Sequence, residues 1–193
     1  VSAVKIEDGG LHLGMSSAQV NDRVNTAKNI VNYAIGMNNH MGSAATVDPQ
    51  LMTYLMAALQ EKHLFFLDSR TIGKSVAGKI AKEQGVRVLD RHVFLDDSDN
   101  LADVQRQFQS AIQYARKQGT AIAIGHPRPN TVAVLKAGIK NLPDDIQLVS
   151  MGSLWRNEKI LPPKPFILLF NDIPAPTSVT PFEPIPLLRG VPR

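Results

Sequence analysis

The sequence predicts an α/β fold with a mostly parallel sheet covered by helices on both faces. Three observations predict it. Between Ser16 and Ser150, short apolar runs alternate with segments of helical period. The runs are nearly unbroken and bounded by turn residues, the pattern of strands buried on both faces. Successive runs also end in polar groups: Asn38, Asn39 and His40; Asp68; Asp90 and Arg91; His126. Right-handed crossovers bring the C-terminal ends of parallel strands to one side. These groups are therefore expected on one rim, where α/β folds place their chemistry.

The elements follow in order. Ser16 and Ser17 cap an amphipathic helix with Val20, Val24, Ala27 and Val31 on one face. A strand containing Ile35 runs into Asn38. Asp48 and Pro49 supply an N-cap and an N1 proline, and Leu51, Leu55, Met56 and Leu59 carry the helical period. Leu64–Leu67 is a second strand. A helix is expected from Ser69 to about Gln84, ending at Gly85, before a third strand over Val86–Leu89.

Arg91–Asp97 is a short apolar piece ending in acids. Ser98 or Asp99 is expected to cap a long helix over Leu101–Gln118, with Val104, Phe108, Ile112 and Ala115 inward and Gly119 as the stop. Thr120–Ile124 is a fourth strand, Asn130–Lys140 a helix, and Gln147–Ser150 a fifth strand. Nine of the thirteen prolines lie beyond Ile160. Residues 1–160 therefore read as the folded domain and 161–193 as a Pro-rich tail. Within the tail, Phe166–Phe170 is apolar enough for an added strand or a docking segment.

A chain of 193 residues with 44% hydrophobic and 20% charged residues can bury a substantial core. The net charge of +4 is spread along the chain with no basic stripe, so nucleic acid is not an expected partner. No cysteine is present, which excludes disulfides, Cys-ligated zinc and a thiol nucleophile. No apolar run approaches the roughly 18 residues of a membrane helix, and no targeting pattern is visible. Serine-hydrolase elbows and Gly-rich phosphate loops are missing as well.

Each rim residue has two readings. His40 can donate an imidazole nitrogen to a divalent metal while Asn38 and Asn39 orient it or a substrate; equally, it can be a loop histidine beside two turn formers. His126, between Gly125 and Pro127, suits a general acid or a metal-site residue, or a structural turn. Asp68 can orient His126 or His40, pair with Arg70, or cap the next helix. Asp96 and Asp97 carry the same ambiguity. Arg91 can hold an anionic group or pair with Asp90. His12, His63 and His92 are weaker candidates, and Met37, Met41, Met52 and Met56 read as core.

The strings Gly36–Ser43, Phe66–Ser69, Val93–Asp96 and Ile122–Pro127 resemble the divergent polysaccharide deacetylases, bacterial envelope proteins related to chitin and peptidoglycan deacetylases. The resemblance covers about Ser16 to Glu158. It implies a distorted (β/α) barrel of about seven strands and a periplasmic or cell-envelope location. It also implies hydrolysis of an N-acetyl group on an amino sugar of a polysaccharide or peptidoglycan-type glycan, assisted by a divalent metal such as zinc. By motif, His40 becomes a metal-site residue, Asp68 an orienting carboxylate and His126 the acid. Asn38, Asn39, Arg70 and Asp96 become candidate substrate contacts.

Two family motifs are not matched: a first strand ending in Ile-Asp-Asp, and a strand whose His precedes Leu-Pro-Met. The expectation is a partial barrel of about five strands, with self-association or a complementing N-terminal fragment covering its open edges. A non-catalytic glycan-binding or regulatory envelope protein is the alternative.

Overall fold

The computed structural model describes residues 9–40, 42 and 44–158, together with the backbone of four short strands between 168 and 190. Helix α1 (Ser17–Ile30) begins with a full capping box. The Ser16 hydroxyl accepts the Gln19 N–H, and the Gln19 side chain accepts the Ser16 N–H. Val20 and Val24 are buried, whereas Val31 lies past the helix end and is exposed. Strand β1 (Gly36–Asn38) follows.

After a 3₁₀ turn over Ala45–Val47, helix α2 (Pro49–Glu61) starts where Asp48 accepts the Leu51 N–H at 2.7 Å. Leu51, Met52, Leu55, Met56 and Leu59 face inward and meet Val20, Val24 and Phe66 in one core. Met52, Met56, Leu59 and Phe66 are at most 2% exposed. Each contributes about 1.5–3 kcal/mol of burial free energy.

Strand β2 (Phe65–Asp68) pairs in parallel with β1 on one side and with β3 (Val88–Asp90) on the other. Helix α3 (Ala77–Glu83) connects β2 to β3 and is much shorter than the expected Ser69–Gln84 helix. The reason lies in Asp68. Its carboxylate accepts the Arg70 N–H at 2.8 Å and the Ser75 hydroxyl at 2.6 Å, which ties residues 69–76 into a loop at the strand end. These local bonds compete with helix formation.

Only Arg91 and His92 separate β3 from β4 (Val93–Phe94), and there the chain changes sheets. Arg91 N–H still bonds the Asp68 carbonyl at 2.9 Å, whereas His92 and Val93 N–H both reach the Ile122 carbonyl. Strand β4 pairs in parallel with β5 (Ala123–Ile124). Between them runs α4 (Leu101–Gln118), capped by Asn100, whose side chain accepts the Ala102 N–H; neither Ser98 nor Asp99 is the cap. Gly119 ends the helix at φ +82, a left-handed conformation that favours glycine. Helix α5 (Pro129–Lys140) packs on α4.

The expected fifth strand over Gln147–Ser150 is not formed. Leu148 is 61% exposed, and Ser150 instead caps α6 (Met151–Arg156) by accepting the Ser153 N–H. The α/β reading stands with parallel pairing throughout this unit, in a three-stranded and a two-stranded sheet. The sheets do not close into a barrel among the described residues, and the outer edges of β1 and β5 pair with no further described strand. No helix among the described residues is long and apolar enough to cross a membrane.

The chain divides into two compact units, residues 1–158 and 159–193. In the second, β6 (Leu168–Phe170) pairs antiparallel with β9 (Leu188–Gly190), and β7 (Ala175–Pro176) with β8 (Pro184–Ile185). The Phe166–Phe170 run thus contributes β6. Its expected docking lies outside the described residues.

His92 gives the β4–β5 sheet a dependence on pH. Its Nδ1 accepts the Ile122 N–H at 2.8 Å, so that nitrogen is unprotonated, and the ring stacks on Tyr114 with centroids 4.7 Å apart. Burial lowers its pKa below the ordinary 6.5; Asp90 opposes this and Arg70 adds to it. A lowered folded-state pKa means the unfolded chain binds the proton more readily. The contribution is therefore complete above the unfolded value and is lost as pH falls through the folded one. Thermal midpoints are expected to fall from about pH 7 to pH 5 more steeply in the wild type than in His92→Asn, which keeps an acceptor and does not titrate. Parallel curves for the two proteins would remove His92 from this role.

Candidate functional site

The ends of β1 and β2 are stitched together by side chains. Asn39 Oδ1 accepts the Ser69 N–H at 2.7 Å, and the Ser69 hydroxyl donates to the Asn39 carbonyl at 2.8 Å. Asn38 Nδ2 donates to the Ser69 hydroxyl oxygen at 3.3 Å. The Asn39 Nδ2 is buried without a hydrogen-bond partner among the described residues, a state that costs about 1–3 kcal/mol. His40, just beyond, is exposed and lines a cleft of about 440 Å³, whose apolar walls include Leu11, Val24, Met37, Leu55 and Phe66.

Next to β2, Arg70 holds φ +47, outside the region most residues prefer. Two hydrogen bonds keep it there: its N–H to Asp68 and its carbonyl from Arg91 Nη2 at 2.8 Å. Its guanidinium, about half exposed, faces Asp90 at 3.6 Å. An exposed pair of this kind contributes only about 0–1 kcal/mol, so the cation stays available to another partner.

The second half of the site is built on β4 and β5. Asp96 leaves β4 and is 1% exposed. Its Oδ2 accepts the His126 N–H at 2.6 Å and the Thr131 hydroxyl at 2.9 Å; its Oδ1 lies 3.0 Å from His126 Nδ1. Burial alone would raise this carboxyl, but the His126 backbone N–H, the Thr131 hydroxyl and the imidazole together hold it below the ordinary carboxylate value. An ionised Asp96 fixes the proton on Nδ1 and directs Nε2 away from itself. Gly125 makes the approach possible, because a Cβ there would lie 3.1 Å from Thr131 Cγ2 and 3.2 Å from Leu95 Cβ.

The His126 ring meets His40 at a centroid distance of 5.9 Å and Phe94 at 5.6 Å, both edge to face. Two histidines 86 positions apart in the sequence thus share one rim, and the β1 exit faces the β5 exit.

Several expected partners are rearranged. Asp68 was the expected orienting carboxylate, but both its oxygens serve the 69–76 loop, and it is Asp96 that holds His126. Asp96 was an expected substrate contact; its side chain is 0% exposed and fully engaged, so a ligand does not reach it. Asn39 spends its carbonyl groups on Ser69, while Asn38 and Arg70 remain exposed.

A catalytic zinc takes three protein donors. Among the described residues no three His, Asp or Glu side chains gather at one point. His40 and His126 come nearest, and the two nearby carboxylates are committed elsewhere. The described residues therefore do not by themselves fit a catalytic metal.

Sequence reasoning missed Thr131 and Arg128, whose Nη1 donates to the Asp96 carbonyl at 2.9 Å, and it gave Ser69 no role. One signal was available: Val93–Asp96 and Leu64–Asp68 are both apolar runs ending in Asp, which marks the two acids as equivalent candidates.

Comparison with known proteins bears on this arrangement. The sequence profile of the divergent polysaccharide deacetylase family matches residues 2–155. An uncharacterized protein of Haemophilus influenzae is 83% identical over all 193 residues, which cover 69% of its length. The uncharacterized protein YibQ of Escherichia coli is 46% identical over 167 residues, 85% of this chain and 52% of that protein. The chain thus spans about half to two-thirds of the length of these relatives.

The crystal structure of an uncharacterized protein from Agrobacterium tumefaciens matches with a TM-score of 0.66 at 23% identity, covering 70% of this chain and 55% of that one. That likeness shows a shared α/β fold. With the family profile covering most of the chain, including β1 to β5 and both histidines, the chain belongs to the divergent polysaccharide deacetylase family.

Proposed function

We propose that this chain is part of a bacterial envelope protein that removes N-acetyl groups from amino sugars of a polysaccharide or peptidoglycan-type glycan. The observation that carries the reading is the Asp96–His126 pair at the β5 exit, facing His40. Hydrolysis of an amide joins a water oxygen to the carbonyl carbon and breaks the bond to nitrogen, which must leave as an amine and therefore needs a proton. His126 is suited to deliver it. With Nδ1 held against an ionised Asp96, the ring is oriented so that Nε2 points to the rim as the position of the transferable proton. Asn38 and Arg70, exposed on the same rim, supply donors for sugar hydroxyls.

His40 is proposed as one donor to zinc or another divalent ion, with further donors from parts of the longer proteins that this chain does not span. An ion held there would supply Lewis-acid polarisation of a carbonyl and activation of water. Calorimetric titration of zinc into the chain is expected to give weak binding that His40→Ala abolishes. Identical heats in the two proteins would remove His40 from any metal role.

A second reading is favoured by the absence of a three-donor cluster among the described residues. It is a non-catalytic envelope protein that keeps the rim as a glycan site. The two readings part on acetate. Release from chitooligosaccharides or peptidoglycan fragments by the full chain with zinc supports the hydrolase, and binding without release supports the alternative.

A further inference from the structure

The cleft of about 440 Å³ beside His40 has no part in the proposed chemistry, and its volume falls within the range of small-molecule sites. It is lined from α1, β1 and α2. Met52, Leu55 and Phe66 of the core open onto it, each at most 7% exposed. A ligand with an apolar body is favoured against such walls.

The polar groups that line the cleft are chiefly donors. Asn39 Nδ2 is buried with no partner among the described residues. Gly42 keeps the space beside it open, since a Cβ there would lie 3.6 Å from that nitrogen. Arg23 is exposed on the same wall, and its guanidinium makes no hydrogen bond or ion pair with the described residues. His12 and His40 add imidazoles, and among the described residues no Asp or Glu lines the cleft.

An unpaired cation with no facing carboxylate selects an anion, and a buried amide N–H requires an oxygen acceptor. A small inorganic anion would leave the apolar walls uncovered, and a plain hydrocarbon would leave both donors unpaired. A sugar is disfavoured, because its hydroxyls would be buried against Met52, Leu55 and Phe66 without partners. The chemistry that satisfies both sets of groups is an apolar chain ended by one anionic head.

We infer that this cleft binds a fatty acid, its hydrocarbon chain against Met52, Leu55 and Phe66 and its carboxylate served by Arg23 and Asn39. The inference goes beyond the reading of the rim and does not depend on it.

The experiment is calorimetric titration of the full chain with dodecanoate, octanoate and dodecyltrimethylammonium, each below its micelle-forming concentration. Wild type is expected to take one dodecanoate per chain. Octanoate should bind on the order of 100-fold more weakly, since each buried CH₂ is worth about fourfold, and the cation should not bind. Arg23→Gln should weaken dodecanoate by about three- to tenfold. Ala27→Trp places an indole in the cleft one turn along α1 from Arg23 and should abolish binding. Ala27 is exposed, so the unliganded thermal midpoint should not move. The Asn39 side-chain amide resonance should shift on adding dodecanoate to wild type.

A wild type that binds no dodecanoate, or binds the cation as tightly, overturns the inference. So does dodecanoate binding that survives Ala27→Trp, which places the ligand elsewhere on the surface. Unchanged affinity in Arg23→Gln together with an unmoved Asn39 resonance also overturns it, and this arm decides the matter if Ala27→Trp does not fold. An unliganded dimer that Ala27→Trp dissociates would assign the cleft to a second copy of the chain instead.

Discussion

Asp96→Ala is expected to lower the thermal midpoint by roughly 10 °C, corresponding to about 3–5 kcal/mol in a chain of this size. The carboxylate is buried, and three donors converge on it: the His126 N–H, the Thr131 hydroxyl and His126 Nδ1. Alanine removes the acceptor and leaves the Thr131 hydroxyl and a backbone N–H facing an apolar gap. Stranded buried donors cost more than the net gain of the bonds they once made.

Asp96→Asn separates stability from function. Its carbonyl still accepts one N–H, so the loss should be smaller, about 1–2 kcal/mol. Its amide, however, donates where the carboxylate accepted, which favours the tautomer with the proton on Nε2. Nitrogen chemical shifts of His126 read that change directly. An Asp96→Ala midpoint within about 2 °C of wild type would show that the network contributes little.

His126→Ala is the second large effect, and it falls on activity. Loss of a general acid lowers turnover by about 10²–10⁴-fold, so acetate release from chitooligosaccharides is expected to drop by that factor. The side chain is 35% exposed, so folding should change far less than for Asp96. The pH profile adds a second readout. An acid that must be protonated gives a rate that falls at high pH, and that limb should vanish in the alanine variant. A variant retaining wild-type turnover, or a wild type no faster than buffer, would remove His126 from the chemistry.

The two effects differ in kind because the residues sit at different depths. Asp96 is enclosed by β4, the β5 exit and α5, and its loss is felt by the fold. His126 projects onto the rim, where His40 and Phe94 are its neighbours. The histidine does the proposed chemistry, and the aspartate positions it.

Local features were legible in the sequence. The Ser16–Gln19 capping box, the Asp48–Pro49 start of α2 and the Gly119 stop of α4 each depend on residues within one helical turn. Periodicity placed Leu51, Leu55, Met56 and Leu59 in the core because a helix presents every third or fourth residue to one face. The parallel α/β architecture and the convergence of polar strand ends also followed, since chirality restricts how βα units wind. Where the structure departs from the sequence reading, short-range side-chain hydrogen bonds displaced the expected element. The expected helix start over residues 69–76 is held in a loop by the Asp68 carboxylate, and the expected strand over Gln147–Ser150 leads into the α6 cap instead.

The amino-acid sequence by itself determined which residues stand at the strand ends: Asn38, Asn39, His40, Asp68, Asp96 and His126. It also carried the family strings. Only the tertiary structure decided which acid serves which histidine. Asp68 and Asp96 follow equivalent apolar runs, but β2 lies between β1 and β3, whereas β4 lies against β5, the strand that carries His126. Strand pairing is set by burial and hydrogen bonding across 30 or more residues, and local sequence does not encode it.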